Sequence, residues 1–286
     1  MKIKEFLYEA SQKLINSGIP DPSLEAEILI RHILQIDRAK IFQDLNRDLL
    51  NYQENEVNLL IDKRIEGYPL SYITGNREFY GIELEINEGV LIPRQETELL
   101  VETAINISKV IKDQQIKVAD IGTGSGAIAI AVALNISNSF VYASDISDVA
   151  LNIAGNNIKK HFLENKIRLR HGDLLDSLST KVDIILSNPP YIPTNQILDL
   201  SKEVLNEPRI ALDGGIDGLG IITKLMKQAA VKLKSRGAMI VEISPELSAR
   251  VIKLADKYFP ESKISILKDL MGINRAILVN KGLPEL

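Results

Sequence analysis

The fold of this chain is indicated most clearly by the stretch Val182-Asp183-Ile184-Ile185-Leu186-Ser187-Asn188-Pro189-Pro190-Tyr191. Its first half is short, apolar and rich in β-branched residues, which predicts a strand buried in a parallel sheet. The two prolines end that strand, because each lacks an amide hydrogen and restricts the residue before it to extended geometry. We therefore expect a stiff loop at the carboxyl end of a strand, where open α/β sheets bind their ligands.

The loop itself carries hydrogen-bond acceptors and an aromatic face. The proline carbonyls remain acceptors, Asn188 adds a side-chain carbonyl, and Tyr191 adds a flat ring. Together these groups predict a cradle for a planar group that bears an NH2. An ordinary strand-terminating turn explains the same residues, since Asn-Pro is a common turn signal. The other motifs of the chain have to decide between the two interpretations.

Composition narrows the class of protein. The chain has 286 residues, 45% of them hydrophobic and 25% charged, as expected for a globular protein of one large or two ordinary domains. Its net charge of −4 gives no overall basic field for nucleic acid, although a local basic patch stays possible. The absence of cysteine excludes disulfides, thiolate nucleophiles and cysteine metal sites. Without a signal peptide or an apolar run of roughly 18 residues, we expect a cytoplasmic protein that binds no membrane.

Three segments follow one another along the chain. Residues 1–75 show helical spacing of apolar residues and predict a small bundle that has no catalytic constellation of its own. We interpret this bundle as a partner-binding module, with a stabilising extension as the alternative. Residues 76–92 predict a β-hairpin connector in which residues 78–86 pair with residues 90–92. Residues 93–286 alternate strand and helix patterns, which is typical of a parallel α/β sheet.

A glycine-rich turn follows the first strand of the third segment. The turn consists of Gly122, Thr123, Gly124, Ser125 and Gly126. Glycines let backbone amides approach a ligand closely at the start of a helix, so the turn predicts a cofactor site. The dinucleotide-binding fingerprint has a third glycine where this chain has Ala127, which weakens an NAD interpretation without removing it.

The next two predicted strands each end in a carboxylate. Asp145 is placed to accept hydrogen bonds from both ribose hydroxyls of an adenosine, and Asp173 is placed to accept from an adenine amino group. Leu174 would then pack on the adenine ring. The simpler alternatives are a helix cap for Asp145 and a turn residue for Asp173.

The glycine loop, the ribose carboxylate and Asn-Pro-Pro-Tyr, in this order, resemble an S-adenosylmethionine-dependent N-methyltransferase of the Rossmann-like class. Further stretches are similar to the release-factor glutamine methyltransferases, the PrmC/HemK family, and this similarity covers nearly the whole chain. These stretches are residues 69–75, 92–98 and 207–219. The chain departs from the family pattern at Gln95, where proline is favoured, and at Ser244-Pro245, where glycine is favoured.

The resemblance implies a seven-stranded Rossmann-like sheet and a helical amino-terminal domain that helps to bind peptide chain release factors. It implies S-adenosylmethionine as the cofactor, and transfer of its methyl group to the side-chain nitrogen (N5) of the glutamine in the Gly-Gly-Gln motif. The cofactor residues would be Gly122, Thr123, Gly124, Ser125, Gly126, Asp145, Asp173, Leu174 and Asn188, and the catalytic residues would be Asn188, Pro189, Pro190 and Tyr191.

Transfer to an amide nitrogen depends on geometry, because its lone pair is delocalised into the carbonyl by resonance worth roughly 18–20 kcal/mol. We expect the NH2 to donate to the carbonyls of Asn188 and Pro189, Tyr191 to pack on the amide plane, and Pro190 to fix the loop. No general base is evident, so the proton can leave to water. Cofactor recognition and helix-start charge explain the carboxylates of this region without a metal. Those carboxylates are Glu96, Glu98 and Asp145.

Two other functions remain open from the residues alone. The same cradle serves adenine-amino methyltransferases of DNA, because adenine also presents a planar conjugated NH2. The negative net charge, and the lack of an evident basic, aromatic-rich region, disfavour stable nucleic-acid binding. A non-catalytic, nucleotide-binding interaction protein with a helical docking domain is the second alternative.

Overall fold

A computed structural model describes residues 1–284, so the last two residues of the predicted third segment lie outside the described part. Residues 1–284 form eleven α-helices and nine β-strands, and among them no helix is long and apolar enough to cross a bilayer. The helices are α1 (Ile3–Asn16), α2 (Pro22–Leu34), α3 (Arg38–Gln43), α4 (Asn51–Ile65), α5 (Leu70–Thr74), α6 (Glu98–Ser108), α7 (Ala127–Asn135), α8 (Asp148–Lys160), α9 (Lys202–Leu205), α10 (Gly220–Lys232) and α11 (Ser248–Tyr258). The strands are β1 (Asn76–Phe79), β2 (Ile82–Glu85), β3 (Ile116–Ile121), β4 (Ser139–Asp145), β5 (Ile167–His171), β6 (Val182–Ser187), β7 (Leu233–Glu242), β8 (Lys263–Lys268) and β9 (Asn274–Lys281).

The first of two compact units consists of Met1–Gly75 together with Ser201–Asn206. Its helices pack around an apolar core, because apolar residues recur every three or four positions along them and form one face. The buried members of this core are Ile3, Phe6, Ala10, Leu14, Ala26, Leu29, Ile30, Ile41, Leu49, Val57 and Ile61. Eleven buried apolar side chains in a unit of this size account for its stability as a bundle.

The short segment Ser201–Asn206 is attached to this unit by polar contacts. Arg64 of α4 is 3% exposed and donates to the carboxylates of Glu25, at 2.6 Å, and Glu203, at 3.2 Å. The side chain of Asn206 donates to the carbonyl of Gly67 at 3.1 Å. A buried guanidinium needs such partners, because removing it from water is costly unless it is paired. Nothing in the sequence pattern singled out this segment as part of the helical unit.

The second unit, Asn76–Leu200 with Glu207–Leu286, begins with a hairpin of β1 and β2. The predicted pairing of residues 78–86 with residues 90–92 is wrong, because the strands that pair lie within residues 76–85. The chain reverses at Tyr80 and Gly81, whose φ angles are +53° and +71°. Two consecutive positive φ angles are the mark of the tight two-residue turn that matches strand twist. Tyrosine rarely adopts this conformation, and for that reason the turn was missed.

The seven remaining strands form one sheet in the order β5-β4-β3-β6-β7-β9-β8. Strands β3 to β7 pair in parallel, whereas β9 runs antiparallel to both of its neighbours. The predicted α/β fold with a Rossmann-like seven-stranded sheet is confirmed. Strand β6 is buried along its whole length, as its continuous apolar run predicts.

The strand order places β3 beside β6, with β4 and β5 on one side of β3 and β6 on the other. The two neighbours are also joined at their carboxyl ends, where the Ser187 hydroxyl donates to the carbonyl of Ile121 at 2.8 Å. Open α/β sheets bind ligands where the strand order reverses, because the helices that follow diverge there and leave a crevice. The glycine loop and the Asn-Pro-Pro-Tyr loop therefore begin side by side at that crevice.

Candidate active site

A cavity of about 300 Å³ lies at this edge of the sheet and joins the two predicted sets of residues. It is lined by the following predicted site residues: Gly122, Gly124, Asp145, Asp173, Leu174, Asn188 and Pro190. The predicted residues that do not line it are Thr123, Ser125, Gly126, Pro189 and Tyr191. One cavity thus contains both the groups expected to hold a cofactor and the amide expected to face a substrate.

The glycine loop leaves open space on its cavity side. Gly122 and Gly124 have φ angles of +70° and +54°, which side chains rarely tolerate. A Cβ atom built at either position would meet nothing within 4 Å. The amides of Gly122 and Thr123 donate to the carbonyl of Ser144, at 2.9 and 3.0 Å, and this ties the loop to the end of β4. The backbone here can be approached closely by a ligand.

The glycine loop is hydrogen-bonded to a buried carboxylate that does not line the cavity. Asp120 is fully buried at the end of β3, and its Oδ2 accepts from the Thr123 hydroxyl at 2.6 Å and from the amide of Ala129 at 3.1 Å. Within residues 1–284 its Oδ1 has no hydrogen-bond partner. Burial raises the pKa of Asp120 to about 7. Asp120 was not predicted as a site residue from the sequence.

Asp145 lines the cavity beside the glycine loop. Its Oδ2 accepts from the amide of Gly124 at 2.9 Å, and its Oδ1 accepts from the amide of Ser147 at 3.0 Å. An ionised carboxylate has about four acceptor sites, so about two remain for a ligand. This capacity matches the two hydroxyls of a ribose. Asp145 therefore shapes the loop and also offers acceptors to the cavity.

Asp173 and Leu174 lie on the neighbouring part of the cavity wall. The Asp173 carboxylate forms an ion pair with Lys224 of α10, which also lines the cavity. Leu174 has a φ angle of +58°, and its carbonyl accepts from the Ser144 hydroxyl at 2.9 Å. The strained backbone is thus held by a hydrogen bond from β4. This ion pair, which uses part of the acceptor capacity of the Asp173 carboxylate, was not predicted from the sequence.

The Asn188 side chain belongs to a hydrogen-bond chain that leads away from the cavity. Its Nδ2 donates to the hydroxyl of Thr97 at 3.1 Å, and that hydroxyl donates to Oε2 of Glu242 at 2.6 Å. The Tyr191 hydroxyl donates to Oε1 of the same glutamate at 3.3 Å. Burial raises the pKa of Glu242 to about 7, and burial together with Glu242 raises the pKa of Tyr191. Neither Thr97 nor Glu242 was predicted as a site residue from the sequence.

The other carboxylates of this region have protein partners. Glu96 forms an ion pair with Arg275 at 3.6 Å, and Oε1 of Glu98 accepts from the amide of Tyr80 at 2.9 Å. Within residues 1–284, no group of three or more histidine, cysteine, aspartate and glutamate side chains could hold a metal ion.

Both the helical and the sheet-forming parts of the chain match known protein families. Residues 5–75 match the family model described as PrmC N-terminal domain, and residues 95–216 match the methyltransferase small domain. A release factor glutamine methyltransferase of Moorella thermoacetica is 37% identical, over 97% of this chain and 98% of the relative. One of Bacillus cereus is 35% identical, with 97% and 98% covered. The chain belongs to the release factor glutamine methyltransferase family.

This family member is an S-adenosylmethionine-dependent methyltransferase, as the resemblance implied. Its fold is similar to that of a T. thermophilus 16S rRNA N2 G1207 methyltransferase, RsmC, solved in complex with AdoMet and guanosine. The similarity has a TM-score of 0.53 at 18% identity, and it covers 72% of this chain and 50% of the other. At that identity the likeness concerns the fold alone.

Proposed function

We propose that this methyltransferase transfers the methyl group of S-adenosylmethionine to the side-chain amide nitrogen (N5) of the glutamine in the Gly-Gly-Gln motif of peptide chain release factors. One observation carries the assignment to the site. Asn188 lines the cavity while its Nδ2 donates to Thr97, so the amide offers its oxygen as the acceptor. An acceptor of this kind suits the NH2 of a glutamine.

The residues at the other end of the cavity fit the cofactor. The open side of the glycine loop would admit it, and the remaining acceptor sites of Asp145 would bind its ribose hydroxyls. Leu174 would pack on the adenine, and Asp173 would accept from its amino group in competition with Lys224. When bound, S-adenosylmethionine supplies a methyl group made electrophilic by the sulfonium to which it is attached.

The residues of the Asn-Pro-Pro-Tyr loop orient the glutamine nitrogen. Asn188, which lines the cavity, accepts a hydrogen bond from the NH2. A second hydrogen bond to the backbone carbonyl of Pro189 and packing of Tyr191 on the amide plane stay predictions, because neither residue lines the cavity. Such positioning is worth up to about 7–11 kcal/mol of the barrier, and the same dipoles stabilise positive charge on the nitrogen. The nitrogen gains the bond to the methyl carbon as the carbon–sulfur bond breaks, and it loses one proton to water.

A transfer assay tests this function. The purified chain is incubated with radiolabelled S-adenosylmethionine and bacterial release factor, a release factor whose Gly-Gly-Gln glutamine is replaced by alanine, or duplex DNA. We expect label in the unaltered release factor only. Label in DNA would indicate an adenine-amino methyltransferase, and no label in any substrate would indicate a nucleotide-binding interaction protein. The negative net charge gives no overall basic field for nucleic acid, which supports a protein substrate. We propose further that the enzyme acts in the cytoplasm and binds neither nucleic acid stably nor a membrane.

The helical unit is proposed to bind the release factor at a distance from the glutamine. The lining of a cavity of about 690 Å³ on this unit mixes polar residues with four exposed apolar side chains, those of Tyr8, Ile15, Leu24 and Phe42. Exposed apolar groups gathered in one groove are typical of a protein-binding surface. Binding energy gained there would position the glutamine in the catalytic unit.

The role of the groove can be tested with Phe42→Ser, because Phe42 is 52% exposed and its loss leaves the core intact. We expect kcat/KM for intact release factor to fall by about tenfold, while methylation of a short Gly-Gly-Gln peptide stays unchanged. Tyr52→Ser is the matched control, since Tyr52 is 58% exposed and does not line the groove. If the ratio of kcat/KM for intact release factor to kcat/KM for the peptide is unchanged in Phe42→Ser, the groove does not bind the substrate.

A further inference from the structure

We propose that Glu242 is a positioning residue for methyl transfer, and that its carboxylate, acting through Thr97, decides which end of the Asn188 amide faces the substrate. The proposal rests on the proposed function, because it assumes that Asn188 accepts from the glutamine NH2. Neither Thr97 nor Glu242 lines the cavity, so both act on the reaction through Asn188 and Tyr191.

The number of protons in the hydrogen-bond chain fixes the direction of each hydrogen bond. An ionised carboxylate can only accept hydrogen bonds, so Glu242 requires the proton of the Thr97 hydroxyl, at 2.6 Å. A hydroxyl has a single proton, and the Thr97 oxygen can then only accept from its other neighbour. That neighbour is the Asn188 side chain, at 3.1 Å, which must present Nδ2 to Thr97. The amide oxygen of Asn188 is thereby left for the substrate.

The same carboxylate also sets the direction of a second hydroxyl in the loop. The Tyr191 hydroxyl donates its proton to Oε1 of Glu242 at 3.3 Å. The two oxygens of one side chain thus orient Asn188 and Tyr191, which are separated by the two prolines that stiffen the loop. Glu242 itself is 3% exposed and Thr97 is 4% exposed, so water does not compete for these bonds.

Protonation of Glu242 would remove this control. A carboxylic acid can donate its proton to Thr97, whose own proton is then free to bind the Asn188 amide oxygen. Burial raises the pKa of Glu242 to about 7, so the carboxylate form that orients Asn188 is populated above that pH. We therefore expect kcat to rise with pH through about 7. The other charged or titratable groups that act on this part of the site are Glu96, Arg275, Tyr191, Arg94 and Asp269.

The first test is the pH profile of kcat at saturating S-adenosylmethionine and release factor, for the wild type and Glu242→Gln. We expect the variant to be about 10- to 100-fold slower at pH 8.5 and to lack the rise near pH 7. Its affinity for S-adenosylmethionine, measured by calorimetry, should stay within twofold of the wild-type value. Asp120→Asn is the matched control, because Asp120 is a second buried carboxylate with a pKa of about 7. At saturating cofactor it should keep the rise.

The second test uses Thr97, which transmits the effect. Thr97→Val removes the hydroxyl at nearly constant size, and we expect it to lower kcat by about 10- to 100-fold. Thr97→Ser restores a hydroxyl and should recover most of that loss. Thr103→Val is the control for changing a threonine in this region, since the Thr103 hydroxyl donates only within α6, to the carbonyl of Leu99. It should leave kcat unchanged.

The outcomes separate this proposal from the proposed function. If the wild type does not methylate release factor, the proposed function fails, and the role of Glu242 fails with it because that role assumes a glutamine NH2 at Asn188. If it does, a rise near pH 7 that persists in Glu242→Gln would overturn the role of Glu242. So would full activity of Thr97→Val. If Glu242→Gln does not fold, the two Thr97 variants provide the test. A lower kcat in Thr97→Val that is recovered in Thr97→Ser would support the proposal. Equal kcat in the two variants would overturn it.

Discussion

The glycine loop and the Asn-Pro-Pro-Tyr loop are each hydrogen-bonded to a buried carboxylate, but the two carboxylates accept from different kinds of group. Asp120 and Glu242 both have a pKa raised to about 7 by burial. Asp120 accepts from a hydroxyl of the glycine loop and from a backbone amide of α7, so it fixes a path of the main chain. Glu242 accepts from two side-chain hydroxyls and thereby fixes the direction of their protons.

Burial alone therefore does not define what an acidic residue does. A carboxylate bonded to the backbone stabilises the shape of a loop, and its loss should appear in cofactor affinity. A carboxylate bonded to rotatable hydroxyls selects among hydrogen-bond directions, and its loss should appear in turnover. Substitutions near the glycine loop should therefore change the dissociation constant of the cofactor, whereas substitutions near Asn188 should change kcat.

The largest effect is expected for Asn188→Ala. Removing one preorganised dipole from a reacting centre costs about 10²–10³-fold in kcat, and the substitution takes away the acceptor for the glutamine NH2. The dissociation constant of S-adenosylmethionine should change by about threefold or less. Transfer of label gives kcat and calorimetric titration gives the affinity. Asn195→Ala is the control, because Asn195 is an exposed residue shortly after the same loop. Equal losses in both constants would mean that Asn188 is mainly a cofactor contact.

Asp145→Ala should weaken cofactor binding more than it lowers kcat. Each hydrogen bond to a charged group contributes about 1.5–3 kcal/mol, so losing the ribose contacts should weaken S-adenosylmethionine binding by about 10- to 100-fold or more. At saturating cofactor, kcat should fall by only a few-fold. The control is Asp148→Ala, which removes an exposed carboxylate from the first turn of α8. Unchanged affinity in the folded Asp145 variant would remove this residue from the cofactor site.

A smaller effect is expected for Asp120→Asn. Because the Asp120 pKa is about 7, the residue becomes ionised as pH rises from 6 to 8, and its negative charge then favours a cationic cofactor. We expect wild-type affinity for S-adenosylmethionine to increase by up to about tenfold over this range, which corresponds to one pKa unit. The variant should show no such increase. A pH dependence that survives in the variant would assign the titration to another group.

The smallest effect is expected for Lys224→Met. Lys224 forms a half-exposed ion pair with Asp173, and such pairs contribute about 0–1 kcal/mol. Removing the lysine frees the carboxylate for adenine, so S-adenosylmethionine affinity should rise by about threefold or less, whereas Asp173→Ala should lower it. Calorimetry on both variants provides the measurement. A tenfold loss in Lys224→Met would instead make the lysine a cofactor contact.

Local sequence patterns were sufficient to place much of the candidate site. The glycine turn, Asp145 and Asn188 each follow a predicted strand, and parallel strands bring their carboxyl ends to one edge. The structure gathers these residues around one cavity at that edge. Their roles in binding and transfer stay predictions, which the variants above test.

Other features could not be predicted, because they depend on contacts between distant parts of the chain. Thr97 and Glu242 are 145 positions apart, and their hydrogen bond requires the turn before α6 to lie against the end of β7, which no local pattern specifies. The turn at Tyr80 was missed for a different reason. A positive φ angle is common for glycine and rare for tyrosine, so the residue type gave no signal.

The segment Ser201–Asn206 has a consequence for the order in which the protein can be assembled during its synthesis. The first unit combines Met1–Gly75 with Ser201–Asn206, and the residues between these two pieces contain four of the seven sheet strands. The two pieces are joined by the ion pair of Arg64 with Glu203. When the amino-terminal helices leave the ribosome, the second piece does not yet exist. The helices can bury their apolar core at once, but the unit is completed only after β3 to β6 have been translated.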